Sequence, residues 1–425
     1  MNIRIENIAL IKKADIELNG ITVVAGLNKT GKTTIAKAVY AMISAYRNLP
    51  LRVLNSRKNG IEHAVSKILR SNKELSESII FWLAEEDFVS SIDDKDMLEW
   101  IADKEHKGLR AYIDQWIHDQ EGFEKKLNEE EDVFFREICA ILERPSEEYE
   151  RFLIESFIRR VFNRQISCFY NNNNGKMSFS FPDNELRTEF VGDKLSQFSQ
   201  NVIFDMRAIY MESINLLDLI KIDGRVWRNS RGGRMEFSQP ASSCISMLHR
   251  IANEDEESYE EYAEANKVRE IIAYIVEKVT HGSLKNESSG IRFFEKKGQN
   301  FVELSNLSAG LKVFVVLQTL LENGALKRGD ILLIDEPEIN LHPEWQIVLA
   351  EILVLLRKEL GIVIYINSHS PYFIRAIEVK LAQNEMTLDG KFYLTVPEDN
   401  LYRVEDVTQE KERIYELLYK PLEEL

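Results

Sequence analysis

The sequence is poor in cysteine: Cys139, Cys168 and Cys244 are the only three in 425 residues. An odd, scattered set makes neither a disulfide framework nor a zinc site, so the expected compartment is a reducing cytoplasm. Long apolar runs are missing as well. None approaches the ~18–20 residues that span a bilayer, and the opening Met1–Glu6 has no apolar signal core. There is no internal repeat and no heptad pattern of coiled-coil length. An excess of positive charge is also lacking. Lys and Arg number 54 against 70 Asp and Glu, a formal charge of −16. That balance excludes a uniformly basic nucleic-acid coat and leaves room for a local basic patch.

What is there is a globular composition, 44% hydrophobic and 29% charged. The length predicts roughly two to three domains. Residues 1–48 read as an α/β start. Ile3–Ile8 and Ala14–Leu18 alternate like strands, and Asn19-Gly20 turns the chain into Ile21–Ala25, a short continuous apolar run that fits a strand buried on both faces. Helical character follows over Thr34–Ala45. Residues 49–200 change texture and predict a mainly helical insertion, with apolar residues at helical spacing (Ile79, Ile80, Leu83, Phe88; Ile154, Phe157, Ile158, Val161) and solvated charge runs such as Asn128–Asp132. Within it, Met177–Phe181 and Leu186–Phe190 form a candidate hairpin.

Residues 201–405 return to α/β texture. Ala208–Met211, Ile331–Ile334 and Ile362–Ile366 read as buried strands. Ser242–Asn253, Glu257–Thr280, Ala309–Asn323 and Pro343–Leu360 read as helices, and Ile291–Phe294 with Phe301–Leu304 as a hairpin. A tail, 406–425, carries a short helix over Glu410–Leu418, either packed on its own domain or free to dock.

The sharpest chemical signal is Gly26-Leu27-Asn28-Lys29-Thr30-Gly31-Lys32-Thr33, which fits G-x-x-x-x-G-K-[ST] between a predicted strand and a predicted helix. Such a loop turns its backbone N–H groups inward on phosphate oxygens, and the following helix start adds positive potential. Lys32 is placed to reach the β- and γ-phosphates, and the Thr33 hydroxyl to hold Mg²⁺. Thr34 continues the same turn. The second signal is Ile331-Leu332-Leu333-Ile334-Asp335-Glu336. A buried parallel strand that ends in carboxylates delivers them to the mouth of the sheet. Alone this is an ordinary strand terminus. Beside a phosphate loop, Asp335 suits the Mg²⁺ shell and Glu336 the polarisation of an attacking water. Between the two lies Leu307-Ser308-Ala309-Gly310, where Ser308 is a good helix N-cap.

Taken in order, the phosphate loop, Leu-Ser-x-Gly at a helix start, an apolar strand ending Asp-Glu and a strand ending in His369 resemble an ABC-type ATPase head of the branch that includes SMC and RecF proteins. Asp335-Glu336-Pro337-Glu338-Ile339-Asn340-Leu341-His342-Pro343-Glu344-Trp345 and Asn367-Ser368-His369-Ser370-Pro371 look most like the OLD-type and PtuA/AriA-type ATPases of anti-phage systems, the Septu PtuA type above all. The likeness covers about residues 1–45 and 205–405. It implies an α/β head with a mixed sheet, helices on both faces and an inserted helical domain. It also implies ATP and Mg²⁺ as ligands, with Gly26, Asn28, Lys29, Thr30, Gly31, Lys32, Thr33 and Thr34 around the phosphates. Ser308 and Gly310 belong to a signature motif that reaches the γ-phosphate held by a second copy. His369 matches the switch histidine, and Asn340–His342 the turn that crosses the dimer interface. Lys29 departs from the family, where Gly is common. His342 stands where SMC-type heads carry Asp. Gln165, Gln197 and Gln200 are the candidates for a glutamine loop, with no motif around them.

The expectation is therefore an ATPase that dimerises head to tail around ATP, as a homodimer or a higher even oligomer. The residues after His369 are too few for the nuclease domain of OLD proteins, and His63, His106, His118, His249 and His281 are scattered. Any nuclease is thus expected in trans, as in PtuA-like systems with an HNH partner. Two alternatives stand beside this reading: a RecF- or SMC-like DNA maintenance ATPase and, less well matched, the nucleotide-binding subunit of an ABC transporter. Lys221, Arg225, Arg228, Arg231 and Arg234 are the candidate nucleic-acid contacts, or else a loop that pairs with acidic residues.

Overall fold

Ile21–Ala25 is buried at every position, and a segment with no polar side to offer has one stable place, the interior of a sheet covered on both faces. In the computed structural model it is β3 of an 11-stranded mixed sheet. The structure describes residues 1–71, 88, 92–119, 124–182, 184–212, 216–218, 238–249, 259–287, 290–296 and 301–423. The Lys221–Arg234 cluster and Ile79, Ile80 and Leu83 lie outside the described residues.

The sheet strands are β1 (Asn2–Ile8), β2 (Ile11–Glu17), β3 (Ile21–Ala25), β4 (Gly175–Phe181), β5 (Asn184–Val191), β6 (Lys194–Phe198), β7 (Ala208–Met211), β11 (Ile331–Asp335), β12 (Val363–Ser368), β13 (Gly390–Glu398) and β14 (Leu401–Asp406), and their spatial order is β6-β5-β4-β1-β2-β14-β13-β3-β12-β11-β7. From β13 to β7 every pairing is parallel. Of these strands, β3, β7, β11 and β12 are buried almost throughout, as covered parallel sheets are. From β6 to β2 the pairing is antiparallel, and β1 and β2 alternate buried with exposed residues. A separate sheet joins β8 (Gly282–Glu287), β9 (Gly290–Glu295) and β10 (Phe301–Val302). The α/β class and mixed sheet expected from the sequence are the observed ones.

The helices are α1 (Lys32–Tyr46), α2 (Leu49–Ser71), α3 (Asp94–Ala102), α4 (Lys107–His118), α5 (Glu124–Leu142), α6 (Ser146–Val161), α7 (Gln239–Leu248), α8 (Tyr259–Ile275), α9 (Ala309–Glu322), α10 (Pro343–Leu360), α11 (Pro371–Gln383) and α12 (Glu412–Glu423). The helix foreseen over Ser242–Asn253 starts three residues earlier, because the Ser238 side chain caps it and Pro240 sits in its first turn, where a missing N–H costs nothing. Helix α12 lays Ile414 into the core, and the Tyr415 hydroxyl donates to Glu378 at 2.6 Å. The tail is packed on its own unit.

Two compact units divide the chain. One comprises Met1–Arg47, Glu155–Ser199 and Asp205–Leu425; the other comprises Asn48–Ile154 and Gln200–Phe204. The expected insertion, 49–200, therefore loses its last third to the sheet unit. The hairpin foreseen there is real, but β4 pairs with β1, so Met177 and Phe179 complete the main sheet's buried face instead of a core of their own. The helical unit has its own core of Ile61, Val65, Trp100, Ile113, Trp116, Phe134 and Ile138. Arg57, buried within it, donates to the carbonyls of Ile141, Leu142 and Arg144 at 2.7 Å each and stacks over the Tyr149 ring. Its guanidinium thus satisfies carbonyls that the end of α5 leaves without helical partners.

Candidate nucleotide-binding site

The parallel strands β3, β11 and β12 lie side by side, and each leads into a different part of the site. The loop after β3 is built by conformations that its sequence permits. Gly31 sits at φ 88° as the N-cap of α1, a left-handed conformation that suits glycine, and a Cβ there would meet Ile11 at 2.6 Å. Lys29 adopts φ 66°. This is a left-handed conformation, which lysine holds at a cost of order 1 kcal/mol. The Thr30 hydroxyl donates to the Leu27 carbonyl at 2.9 Å and lies 2.8 Å from the Thr395 hydroxyl of β13, which ties the loop to the sheet. Asn28 and Lys29 are exposed, and Thr34 is half-buried on α1.

Lys32 is almost fully buried. Its ammonium donates to the carbonyls of Gly26 (3.0 Å) and Leu27 (2.8 Å) and lies 3.7 Å from Glu336 Oε1. Burial pushes its pKa below the ordinary lysine value, and the carboxylates of Glu336, Asp335 and Glu338 pull the other way. The result is a cation held in the floor of the loop.

Asp335 closes β11. Its Oδ2 accepts from the Thr33 hydroxyl at 2.6 Å and from Tyr210 of β7 at 3.3 Å, and its Oδ1 accepts from Asn367 of β12 at 2.9 Å. The register makes this unavoidable, because Asp335 stands opposite Asn367. Tyr365 in turn donates to the Asn367 side-chain oxygen Oδ1 at 2.7 Å, which fixes the amide's orientation. Burial raises the Asp335 pKa, and the hydroxyl and amide donors partly offset it. A hydroxyl and a carboxylate this close form a hard oxygen pair of the kind Mg²⁺ accepts when phosphates and water supply the rest of its octahedron. The donor set fits that ion. Among the described residues no cluster of three His, Cys, Asp or Glu side chains offers an all-protein metal cage.

Glu336 takes φ 47°, a strained conformation for a non-glycine residue at a strand end. Its Oε1 lies 3.3 Å from His369 Nδ1 as well as 3.7 Å from Lys32 Nζ. The tight turn that follows returns through Ile339 N–H to the Glu336 carbonyl and Leu341 N–H to the Glu338 carbonyl. His342 caps α10, its Nδ1 accepting from Glu344 N–H at 3.4 Å.

Ser308 caps α9, accepting from Leu311 N–H at 3.3 Å. Gly310 packs against the Asn340 turn so closely that a Cβ would stand 2.7 Å from the Asn340 carbonyl oxygen. The structure thus packs the start of α9 against the Asn340–His342 turn. Among the described residues no hydrogen bond or ion pair ties Ser308 or Gly310 to the phosphate loop, whereas Lys32, Thr33, Asp335, Glu336 and His369 converge. Gln197 lies on β6, at the opposite end of the strand order from β11 and β7, and Gln165 follows α6. In the sequence Asn367 stands out only as the first residue of the Asn367–Pro371 motif, and Tyr210 and Tyr365 only as members of apolar strands; none of the three is marked there as a partner of Asp335. The Asn367 position opposite Asp335 is a property of strand register.

The sequence pattern of the AAA ATPase domain matches residues 1–374. Solved structures similar in outline include an SMC head bound to the C-winged helix domain of ScpA (11% identity, covering 97% of this chain and 98% of that one, TM-score 0.41). The SMC head domain from Thermotoga maritima (9%, 96% and 98%, TM-score 0.36) is another. A third is an SMC head with an extended coiled coil bound to the C-terminal domain of ScpA, derived from Pyrococcus furiosus (12%, 100% and 98%, TM-score 0.34). At these scores the likeness assigns no residue. The family pattern covers most of the chain and spans the loop and both strand ends described above, and on that ground the protein belongs to the AAA ATPase domain family.

Proposed function

We propose that the protein binds and hydrolyses ATP with Mg²⁺, that two copies close head to tail around the nucleotide, and that closure controls a nuclease supplied by another chain in an anti-phage complex. The observation that carries the hydrolytic part is the convergence of Lys32, Thr33–Asp335, Glu336 and His369 on the edge where β3, β11 and β12 end. The loop's N–H groups and Lys32 hold the β- and γ-phosphates. Thr33 and Asp335 hold the metal, which when bound neutralises charge on the phosphate oxygens. Glu336 orients the attacking water and takes its proton, and its strained backbone aims the carboxylate across the edge. His369, one strand over, donates to the same region.

The dimer rests on the signature segment. Ser308 caps α9 and Gly310 packs on the Asn340 turn, and the resemblance gives their partner as the γ-phosphate of a second copy. A nucleotide that binds the closed pair better than the open one shifts the equilibrium by that difference in affinity. The defence role and the HNH-type partner rest on the likeness of Asp335–Trp345 and Asn367–Pro371 to PtuA-type ATPases.

Glu336→Gln tests the mechanism. It removes the base and keeps the shape, so turnover is expected to fall by about 10²–10⁴-fold while Mg-ATP affinity survives. Light scattering should then show a dimer that persists in ATP. Turnover at the wild-type rate rejects the role of Glu336, and a monomer in saturating ATP rejects the closure.

A further inference from the structure

Glu338 has no role in the scheme above, yet it is the most deeply buried carboxylate at the site, its side chain 3% exposed. A carboxylate so placed must be compensated or it destabilises the fold. Here the compensation is one-sided. Oε1 accepts from the Ser368 hydroxyl at 2.6 Å and from the His369 backbone N–H at 3.1 Å, and it lies 3.8 Å from His369 Nδ1. Oε2 is buried and has no hydrogen-bond partner. Among the described residues, the hydrogen bonds of this side chain to other residues are those with Ser368 and His369. The imidazole is left between two carboxylates, 3.3 Å from Glu336 and 3.8 Å from Glu338. A second tie joins the same two turns: the Ser370 hydroxyl lies 3.3 Å from Gln346 Oε1, and Gln346 Nε2 donates to the Leu341 carbonyl at 3.2 Å.

We propose that Glu338 is a positioning residue for His369: its Oε1 clamps the Ser368–His369 backbone to the turn after Glu336, so that the imidazole is held against Glu336 and moves with the Asn340–His342 turn. The proposal rests on the hydrolytic reading given above. Two donors on one acceptor oxygen fix where Oε1 sits relative to the Ser368–His369 backbone. The arrangement also gives the two carboxylates different partners: Glu336 stands between the Lys32 ammonium and the His369 ring, whereas Glu338 holds the Ser368 hydroxyl and the His369 backbone N–H.

The test uses the full chain with Glu338→Ala, Glu338→Gln, His369→Ala and the double variant Glu338→Ala/His369→Ala. Glu338→Gln keeps an acceptor at the Oε1 position, and kcat is expected to stay within about threefold of wild type. Glu338→Ala is expected to lower kcat by at least about tenfold with KM for Mg-ATP changed less than about threefold. The double variant should be no slower than His369→Ala, because a residue that acts only through His369 has nothing left to act on. Multiplying losses, a Gln variant as slow as Ala, or an Ala variant as fast as wild type each overturn the proposal. Ser368→Ala, which deletes only the hydroxyl donor, is the milder variant if Glu338→Ala does not fold. It should lower kcat by about two- to fivefold, and no change counts against the clamp.

A second readout needs no turnover. In nucleotide-free protein, the His369 ring proton resonance should shift in Glu338→Ala and hold in Glu338→Gln. If wild-type protein fails to hydrolyse ATP, the hydrolytic reading falls while this shift still decides whether Glu338 positions the ring. An unmoved resonance in Glu338→Ala rejects the clamp whatever the turnover.

Discussion

Gly310→Ala is a one-methyl change whose cost can be worked from the geometry. The added Cβ would stand 2.7 Å from the Asn340 carbonyl oxygen, 3.1 Å from Leu341 Cδ2 and 3.5 Å from Trp345 Cε3. The carbonyl contact is the decisive one, because it is backbone and belongs to a residue already at φ 63°. The turn cannot yield freely. It is pinned by Leu341 N–H on the Glu338 carbonyl at 3.0 Å and Ile339 N–H on the Glu336 carbonyl at 3.2 Å. Leu341 is buried, and Trp345 packs edge-on against Phe314 at 5.8 Å. Relieving the overlap therefore requires either α9 or the turn to retreat by several tenths of an ångström. Overpacking of this kind costs about 1–3 kcal/mol. In a unit of this size that is a loss of several degrees in melting temperature, roughly 2–4 °C per kcal/mol. The functional effect should be split: fluorescent-nucleotide affinity near wild type, because the phosphate loop is untouched, and ATP-driven dimerisation weakened, because Ser308 moves with α9. A Gly310→Ala protein that melts within about 1 °C of wild type and dimerises normally would refute the reasoning, since it would mean that the turn yields at no cost.

Ser308→Arg should block nucleotide-driven closure and leave Mg-ATP binding largely intact, as read by light scattering and nucleotide fluorescence; persistent closure would show that the signature segment is misassigned. Arg57→Ala removes one guanidinium from three carbonyl acceptors, and hydrogen bonds to charged groups are worth about 1.5–3 kcal/mol each. The helical unit should therefore melt or be proteolysed well before the sheet unit, and simultaneous unfolding at the wild-type temperature argues against that role. Burial raises the Asp335 pKa, so the folded chain takes up this proton more readily than the unfolded one. That contribution is fully present below the unfolded carboxylate range and is lost as pH rises through the raised folded value. Mg²⁺ should accordingly stabilise the protein more at neutral than at mildly acidic pH, and Asp335→Asn should flatten that dependence; an unchanged Mg²⁺ dependence in the variant would remove Asp335 from the metal site.

The amino-acid order by itself determined the parts of this protein whose physics is local. Gly26–Thr33 after an all-apolar segment reads as a tight loop at a helix start, because its glycines permit the left-handed turn and the adjoining periodicity supplies a strand before it and a helix after it. The strands Ile331–Asp335 and Val363–Ser368 announced themselves in the same way, by apolar runs too short for helices. The tertiary structure decided what depends on which strand lies beside which. Residues 155–199 looked like the end of an insertion, and pairing of β4 with β1 makes them part of the main sheet. Strands β13 and β14 are weakly patterned, yet β13 lies directly beside β3 and Thr395 braces the loop. Asn367 became a partner of Asp335 through register, and Glu338 a clamp on His369 through the turn that returns it to β12. A loop's shape is a property of a few consecutive residues. The side chain opposite it is chosen by hydrogen-bond ladders hundreds of residues apart, and no local pattern records that choice.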